Sequence, residues 1–243
     1  MSGEAPVPAL VPASDHSVLV RFGDEIALEA HRQVLRLTTA LLEQPAPFIR
    51  NLHPAYASVL VSFDPRAASP AAVQDYLAKL LQELPEVELP PSRTVEIPVC
   101  YEPPFAPDLE EVASLHGLSA AEVIALHTQA EYRVYFLGFS PGFPYMGGLP
   151  AQLVTPRLAT PRTRVPAGSV AIGGAQTGVY PLASPGGWRL IGRTPLPLFR
   201  PEASPPALLQ MGDLVRFVSV SREAYEAFAG ESGIDGQKDD LLR

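Results

Sequence analysis

The chain has 243 residues, of which 47% are hydrophobic, so it is long enough to bury the core of one large domain or of two modest ones. Its formal net charge is -8 and its only lysines are Lys79 and Lys238, which argues against nucleic acid or an anionic membrane as the main partner, because both attract clustered positive charge. Cys100 is the only cysteine, so an internal disulfide or a thiolate metal cluster is impossible, and we expect a reducing, cytoplasmic environment.

The N-terminal stretch predicts neither export nor membrane insertion. Residues 1–14 are rich in proline, alanine and serine, lack the cationic start and apolar core of a signal peptide, and are predicted to be a flexible leader. No run of 18 uncharged apolar residues occurs in the sequence, so no membrane span is expected.

The first half of the chain predicts a small α/β domain. Alternating and helically spaced apolar residues predict a strand at 16–22, a helix at 26–41, strands at 48–52 and 58–63, a helix at 69–84 and a strand at 95–99. This order of elements is that of a split βαβ, ferredoxin-like domain, which we place at residues 15–92. The last of these strands follows Pro90-Pro91-Ser92, and the sequence leaves open which half of the chain it joins.

The second half is richer in glycine, and its sequence predicts a β-barrel. Asp108 with Glu111 and Ser119 with Glu122 have the spacing of capping boxes, so two short helices are expected first. From residue 134 to residue 199 glycines and prolines recur every few positions, which no helix tolerates and which short strands joined by turns require. We predict a barrel domain at residues 93–229, a polar tail at 230–243, and an α+β fold class for the chain.

A nucleophile elbow is the first motif to consider in the glycine-rich half. Residues 138–142 fit the pattern Gly-x-Ser-x-Gly and follow an apolar strand. The elbow requires the backbone N–H of the residue after the serine and a helix beyond it, but Pro141 has no N–H and the sequence that follows is rich in proline and glycine. We therefore interpret Ser140 as a turn residue.

Two arginines are the best candidates for binding an anion. Arg162 and Arg164 lie between Pro161 and Pro166, and a guanidinium group suits a carboxylate or a phosphate. The alternative is that both are solvated loop residues. No Gly-Lys-Ser/Thr sequence is present, so a P-loop is not predicted.

Other polar residues of this half could orient an amide. Gln176 and Tyr180 are separated by an even number of strand positions and should point to the same side, and Trp188 follows a pair of glycines and could line the same cavity. The alternative is that these side chains satisfy buried backbone groups or pack. His127 lies on the apolar face of a short helix and is either a proton-transfer group or a core histidine; the five histidines show no metal-ligand spacing, so no metal site is expected.

Dense matches in the glycine-rich half identify a family. The matching segments are Tyr135–Phe139, Pro141–Phe143, Tyr145–Pro150, Pro161-Arg162, Pro166–Val170, Gln176–Pro181 and Ser184–Trp188. In these segments the sequence resembles the family that contains the B subunit of bacterial 5-oxoprolinase, the KipI-type kinase inhibitors and subunit 1 of allophanate hydrolase. The resemblance extends upstream through Asp108 and His127 and, more loosely, over the N-terminal domain.

The resemblance implies a fold and an activity. The family has a small α/β domain followed by a cyclophilin-like β-barrel, and 5-oxoprolinase opens 5-oxo-L-proline to L-glutamate with ATP and water. Its B subunit pairs with a cyclophilin-like C subunit, and a separate A subunit completes the activity. Under this hypothesis Arg162 or Arg164 would hold a carboxylate or phosphate, Gln176 and Tyr180 would orient the amide, Trp188 would line the pocket and His127 would move a proton.

The same resemblance keeps other functions open. A KipI-type protein binds a sensor histidine kinase and has no turnover. A carboxyltransferase role belongs to long biotin-dependent chains, and the allophanate hydrolase role would need an amidase Ser-Ser-Lys arrangement, which we do not find in the sequence. We favour the 5-oxoprolinase B subunit.

Overall fold

The computed structural model describes residues 8–84 and 92–231. The chain divides into two compact units, residues 1–91 and residues 92–243. The predicted α+β class, a small α/β domain followed by a cyclophilin-like β-barrel, is confirmed. Among the described residues, none of the helices has both the length and the apolar character that crossing a bilayer requires.

The first unit is a four-stranded antiparallel sheet with two helices. Its sheet has the order β1-β2-β4-β3. Its elements are β1 (Ala9–Ser14), β2 (Ser17–Arg21), α1 (Leu28–Glu43), β3 (Ile49–Pro54), β4 (Ser58–Phe63) and α2 (Pro70–Glu83). Alternate residues of the central strands, such as Val18 and Val61, are fully buried, as are Leu37 of α1 and Leu77 of α2. Helix α2 begins where expected, because the Ser69 hydroxyl accepts a hydrogen bond from the N–H of Ala72 at 3.2 Å.

The structure corrects one sequence-based prediction about this sheet and answers one question that the sequence left open. Residues 9–14, predicted to belong to a flexible leader, form β1 and pair with β2 from Ala9↔Arg21 to Ser14↔Ser17, whereas residues 1–7 lie outside the described residues. An edge strand tolerates Pro12 because only one of its sides must supply ladder hydrogen bonds. Strand β1 thereby occupies the edge position that a ferredoxin-like order would give to the strand at 95–99.

The second unit is built around a closed barrel of seven strands in the order β10-β7-β6-β13-β5-β12-β9. The strands of this unit are β5 (Thr94–Cys100), β6 (Tyr132–Leu137), β7 (Pro144–Gly147), β8 (Arg162–Val165), β9 (Ser169–Gly173), β10 (Gln176–Val179), β11 (Ser184–Gly186), β12 (Arg189–Arg193) and β13 (Leu214–Val220). Its helices are α3 (Leu109–His116), α4 (Ala120–Gln129) and α5 (Arg222–Glu231). Strands β8 and β11 form a separate two-stranded ribbon. The strand at 95–99 therefore belongs to the barrel.

The interior of the barrel is a hydrophobic core. Fully buried side chains from the strands, including Ile97, Ile172 and Phe217, form one cluster with Val112 of α3 and Val123 of α4. Strand β9 shows how the two sides of the wall differ, since Val170 and Ile172 join this interior cluster while Ala171 between them joins a second cluster on the outer face.

One of the two predicted capping boxes forms. At the start of α4 the Ser119 hydroxyl accepts a hydrogen bond from the N–H of Glu122 while the Glu122 carboxylate accepts one from the N–H of Ser119. At the start of α3 the Asp108 side chain makes no capping hydrogen bond. That carboxylate has distant partners instead, and they organise the candidate site.

Candidate functional site

His127 lies inside the barrel, where its side chain is fully buried. Its Nδ1 is 2.8 Å from the Tyr101 hydroxyl, and its Nε2 is 3.2 Å from Oγ1 of Thr177. Thr177 donates its own hydroxyl proton to the carbonyl oxygen of Ala171 at 3.0 Å, so it accepts from Nε2–H of His127. Burial lowers the pKa of His127 to about 3.

This placement favours the core interpretation of His127 over the predicted proton-transfer role. The ring stacks on Phe217 with a centroid distance of 4.5 Å, and both of its nitrogens are bonded to buried groups. Burial and the lowered pKa keep the imidazole of His127 neutral at neutral pH. His127 is the core histidine of the alternative interpretation, and it joins α4 to strand β10.

Trp188 and Tyr180 lie together on the outer face of the barrel. They form a cluster with Phe143, Val165 and Leu190, and the half-buried Tyr145 packs against it. The glycines beside Trp188 have a steric reason, because a Cβ at Gly173 would lie 2.5 Å from the indole ring. The backbone of β9 is thus the surface on which Trp188 rests, and the indole is only 5% exposed.

Tyr180 is held by its own set of contacts. Its hydroxyl lies so close to Gly186 that a Cβ there would clash with it. Burial raises the pKa of Tyr180, while a hydrogen bond from the backbone of Trp188 and the positive charges of Arg157 and Arg162 act in the opposite direction. The phenol therefore accepts a hydrogen bond from a backbone N–H, as the alternative interpretation predicted. It also lies near enough to two guanidinium groups for their charges to act on it.

Gln176 begins strand β10 opposite Gly173 and is partly exposed. The strand alternates, with Thr177 and Val179 facing the buried interior and Gly178 facing the outer cluster beside Phe143. Gln176 and Tyr180 accordingly lie on the outer side together, as the spacing predicted.

Arg162 is held in place by a buried carboxylate. Its Nη2 donates to Oδ1 of Asp108 at 2.6 Å, and Oδ2 of the same carboxylate accepts from the N–H of Leu190 at 2.6 Å. Asp108 is nearly buried, whereas the side chain of Arg162 is 29% exposed. Nη1 of Arg162 is buried and has no hydrogen-bond partner among the described residues. One half of the guanidinium fork is thus fixed and the other half has an unused donor.

The β8–β11 ribbon places Ser184 on the same side as Arg162. Gly186 pairs with Arg162 and Ser184 pairs with Val165, with a bulge between the two pairs. Residues that are directly opposite share a face of the ribbon, so Arg162 and Ser184 face the side of Tyr180. The Ser184 hydroxyl is also buried without a partner among the described residues. Arg164 is exposed on the same strand, so the structure separates the two arginines that the sequence grouped.

One further arginine contacts the outer cluster. Arg157 lies over the ring of Trp188 with its Cζ 5.6 Å from the centroid, a cation–π arrangement. Arg189 pairs with Ile172, on the opposite face of β12 from Leu190, and forms an ion pair with Glu111. Arg157 therefore adds a positive charge beside the outer cluster, although the whole chain is acidic.

The side chains of this candidate site can bind and orient an anion. The arrangement offers a fixed guanidinium, a hydroxyl and an aromatic wall, but no activated nucleophile. Ser140 lies in a turn that leads to β7 and not to a helix, which agrees with its assignment as a turn residue. In residues 8–84 and 92–231, no three His, Cys, Asp or Glu side chains are grouped closely enough to hold a metal ion.

Sequence reasoning missed Asp108 and Ser184 as members of the site. Asp108 carried a signal for a local cap, which concealed its partners 54 and 82 residues away. Ser184 carried no signal beyond its place in the family segment that ends at Trp188.

Comparison with known proteins gives the family. The sequence profile of the carboxyltransferase domain, subdomain C and D, matches residues 8–209. The 5-oxoprolinase B subunit of Bacillus subtilis is 45% identical over 228 residues, which cover 90% of this chain and 95% of that protein. The protein of the same name in Escherichia coli O157:H7 is 46% identical over 207 residues, covering 83% of this chain and 91% of that one.

A solved structure extends the comparison to the fold. The crystal structure of TTHA0988 is 43% identical with a TM-score of 0.77, and the match covers 86% of this chain but 40% of that longer one. The profile spans most of the chain, and the two B subunits match it over nearly their full length. The chain therefore belongs to the B-subunit family of 5-oxoprolinases and to the carboxyltransferase domain family, subdomain C and D.

Proposed function

We propose that this chain is the B subunit of an ATP-dependent 5-oxoprolinase that opens 5-oxo-L-proline to L-glutamate. The observation that carries the proposal is the 45% identity over 90% of the chain to a protein named as that subunit. The chain acts in the cytoplasm with a cyclophilin-like C subunit, with which it shares the reaction site, and with a separate A subunit that completes the activity.

The demands of the reaction fit a shared site. The amide of an unstrained five-membered lactam is a poor electrophile, and phosphorylation of its oxygen by ATP turns that oxygen into a leaving group. Clamping the phosphates of ATP commonly requires a lysine beside a glycine-rich loop. Of the two lysines of this chain, Lys79 lies on α2 and Lys238 lies outside the described residues. We infer that another polypeptide of the complex provides the phosphate site.

We assign the binding of the substrate carboxylate to Arg162. The Asp108 carboxylate fixes one side of its guanidinium, and the unused Nη1 would donate to the ligand. Ser184 provides a second donor on the same face of the ribbon. Arg164 is less suited because its side chain is exposed.

Gln176, Tyr180 and Trp188 take supporting roles in this proposal. Gln176 is partly exposed, so its amide group is available to pair with the amide of the lactam. Tyr180 and Trp188 belong to one buried aromatic cluster and would form a wall of the pocket.

Reconstitution of the complex tests the proposed function. The three purified proteins are mixed with 5-oxoproline and ATP, and glutamate and ADP are measured over time. We expect glutamate release that requires ATP and stops when this chain is omitted. Glutamate release that is unchanged without this chain would disprove the proposal. Inhibition of a sensor kinase's autophosphorylation by the chain, with no effect on lactam turnover, would instead assign it to the KipI-type function.

A further inference from the structure

A strained turn presents an aromatic ring at the tip of the β6–β7 hairpin. Phe139 has a φ of +64°, and it is the only residue other than glycine with a positive φ among those described. The N–H of Ser140 donates to the carbonyl oxygen of Gly138 at 2.7 Å, and the N–H of Gly138 donates to that of Phe143 at 3.1 Å. These bonds hold the turn in place, and the side chain of Phe139 is 62% exposed.

Phe139 continues into a larger aromatic surface. Phe136 and Tyr145 stack beside the turn with centroids 4.5 Å apart, and both are partly exposed. Phe143 lies beneath Phe139 in an edge-to-face contact at 5.5 Å and is itself buried. We call Phe136, Phe139 and Tyr145 the hairpin-tip patch. It forms a half-buried base from which one ring projects.

Within the chain the ring of Phe139 makes edge-to-face contacts with Phe143 and Tyr180, which leave most of it exposed. A positive φ is unfavourable for a bulky side chain, and glycine would adopt it without cost. An exposed aromatic ring also loses the benefit of burial. A position with both disadvantages is expected where a ligand or a partner compensates for them, and exposed aromatic rings are typical of the centres of protein interfaces.

We propose that the hairpin-tip patch is the docking surface for the companion polypeptide of the complex, and that Phe139 is its central contact. This inference rests on the proposed function. The partner we propose is the companion because the match to TTHA0988 covers 40% of that chain, so a relative at 43% identity carries most of its length as additional polypeptide. In a complex of separate subunits the corresponding protein must associate without a covalent link. The complementary site on the companion polypeptide is an apolar pocket wide enough for the ring of Phe139.

The variant Phe139→Gly separates an interface role from a structural one. It removes the ring and relieves the backbone strain, so the isolated chain should unfold at the same or a higher temperature than the wild type. Its dissociation constant for the companion polypeptide, measured by calorimetry, should rise by about tenfold or more. Phe139→Asn, which also tolerates this backbone conformation, should behave in the same way.

The matched control is Phe228→Ala on α5, which removes another exposed ring, 42% accessible in the structure. It should leave the affinity for the companion within about twofold of wild type. Equal affinity of wild type and Phe139→Gly would overturn the docking proposal while leaving the proposed function intact. A lower unfolding temperature of both Phe139 variants would also overturn it, because the ring would then be needed for folding. It would be overturned as well if the substitutions weakened a homodimer of this chain and left the companion complex unchanged. Failure of the wild type to bind the companion would instead contradict the proposed function, and the docking proposal with it.

Discussion

The carboxylate of Asp108 and the guanidinium of Arg162 meet at 2.6 Å across 54 residues of sequence. The same carboxylate also accepts the N–H of Leu190 on β12. One nearly buried side chain therefore ties the start of α3 to the β8–β11 ribbon and to the barrel wall. The position of Arg162 depends on this bond, and its properties should change when the bond is removed.

Replacing Asp108 with asparagine should weaken both the fold and the site. The amide oxygen can still accept the N–H of Leu190, but the charge that pairs with Arg162 is lost. Because Arg162 is partly exposed, we expect a loss of about 2 kcal/mol in the free energy of unfolding, less than for a fully buried pair. Urea denaturation followed by circular dichroism measures it.

A double-mutant cycle with Arg162→Gln checks that this loss comes from the pair. The coupling energy should be about 1 kcal/mol or more. Arg164→Gln, on the exposed part of the same strand, should change stability by less than about 0.5 kcal/mol. Additive losses for Asp108→Asn and Arg162→Gln would show that the ion pair contributes little.

Gly173→Ala should disturb Trp188 directly. The new Cβ would lie 2.5 Å from the indole ring, so the ring or the strand must move, at a cost of about 1–3 kcal/mol. Trp188 is the only tryptophan of the chain, so its fluorescence reports on this place alone. We expect a red shift of the emission as water reaches the ring. Gly187→Ala is the control, because its Cβ would meet only ordinary contacts at 3.6 Å or more; identical spectra for the two variants would argue against the packing described.

The buried imidazole of His127 should make stability depend on pH. Its pKa falls from 6.5 to about 3 on folding, so below pH 6.5 the unfolded chain binds a proton that the folded chain does not. This contribution to stability is complete above pH 6.5 and is lost, at about 1.4 kcal/mol per pH unit, as the pH falls towards 3.

The test compares wild type with His127→Gln in urea between pH 7 and pH 4. The stability difference between the two proteins should shrink as the pH falls. His53→Gln, at an exposed position of β3, should retain the pH dependence of the wild type. A difference that stays constant over this range would mean that the folded protein protonates His127 readily.

Arg162→Gln should impair the binding of the carboxylate more than that of the ring. In the reconstituted complex we expect KM for 5-oxoproline to rise by about tenfold or more, since a charged hydrogen bond is lost. Competition by 2-pyrrolidinone, the same lactam without the carboxylate, should be unchanged. Arg164→Gln is the matched control and should leave KM near its wild-type value. If 2-pyrrolidinone also lost its affinity, Arg162 would be holding the pocket together and not the carboxylate.

Patterns of local origin could be predicted from the sequence. The helices near residues 28 and 70 and the capping box of Ser119 and Glu122 followed from apolar spacing and from side chains within a few positions of each other. The face shared by Gln176 and Tyr180 followed from strand alternation. These features depend on short segments of chain, whose geometry is nearly independent of the rest of the fold.

Features that depend on distant pairing could not be predicted. The alternation of Val95, Ile97 and Val99 predicted a strand, but its partners are β12 and β13, far along the chain. The prolines before β2 concealed an edge strand. For His127 the apolar helix face was correct but compatible with two roles, and only the surrounding Tyr101 and Thr177 decided between them.

The pairing of β5 with β13 has a consequence for how the protein is made. The two strands run parallel from Leu214↔Thr94 to Val220↔Cys100. Strand β5, the first of the barrel in chain order, therefore lacks this neighbour until β13, the last, has been made. During synthesis on the ribosome the wall cannot close until residue 220 has emerged, and the apolar sides of the strands already made remain open to water. Premature termination before β13 should therefore yield an aggregating polypeptide, and the nascent second unit is a natural client for chaperones.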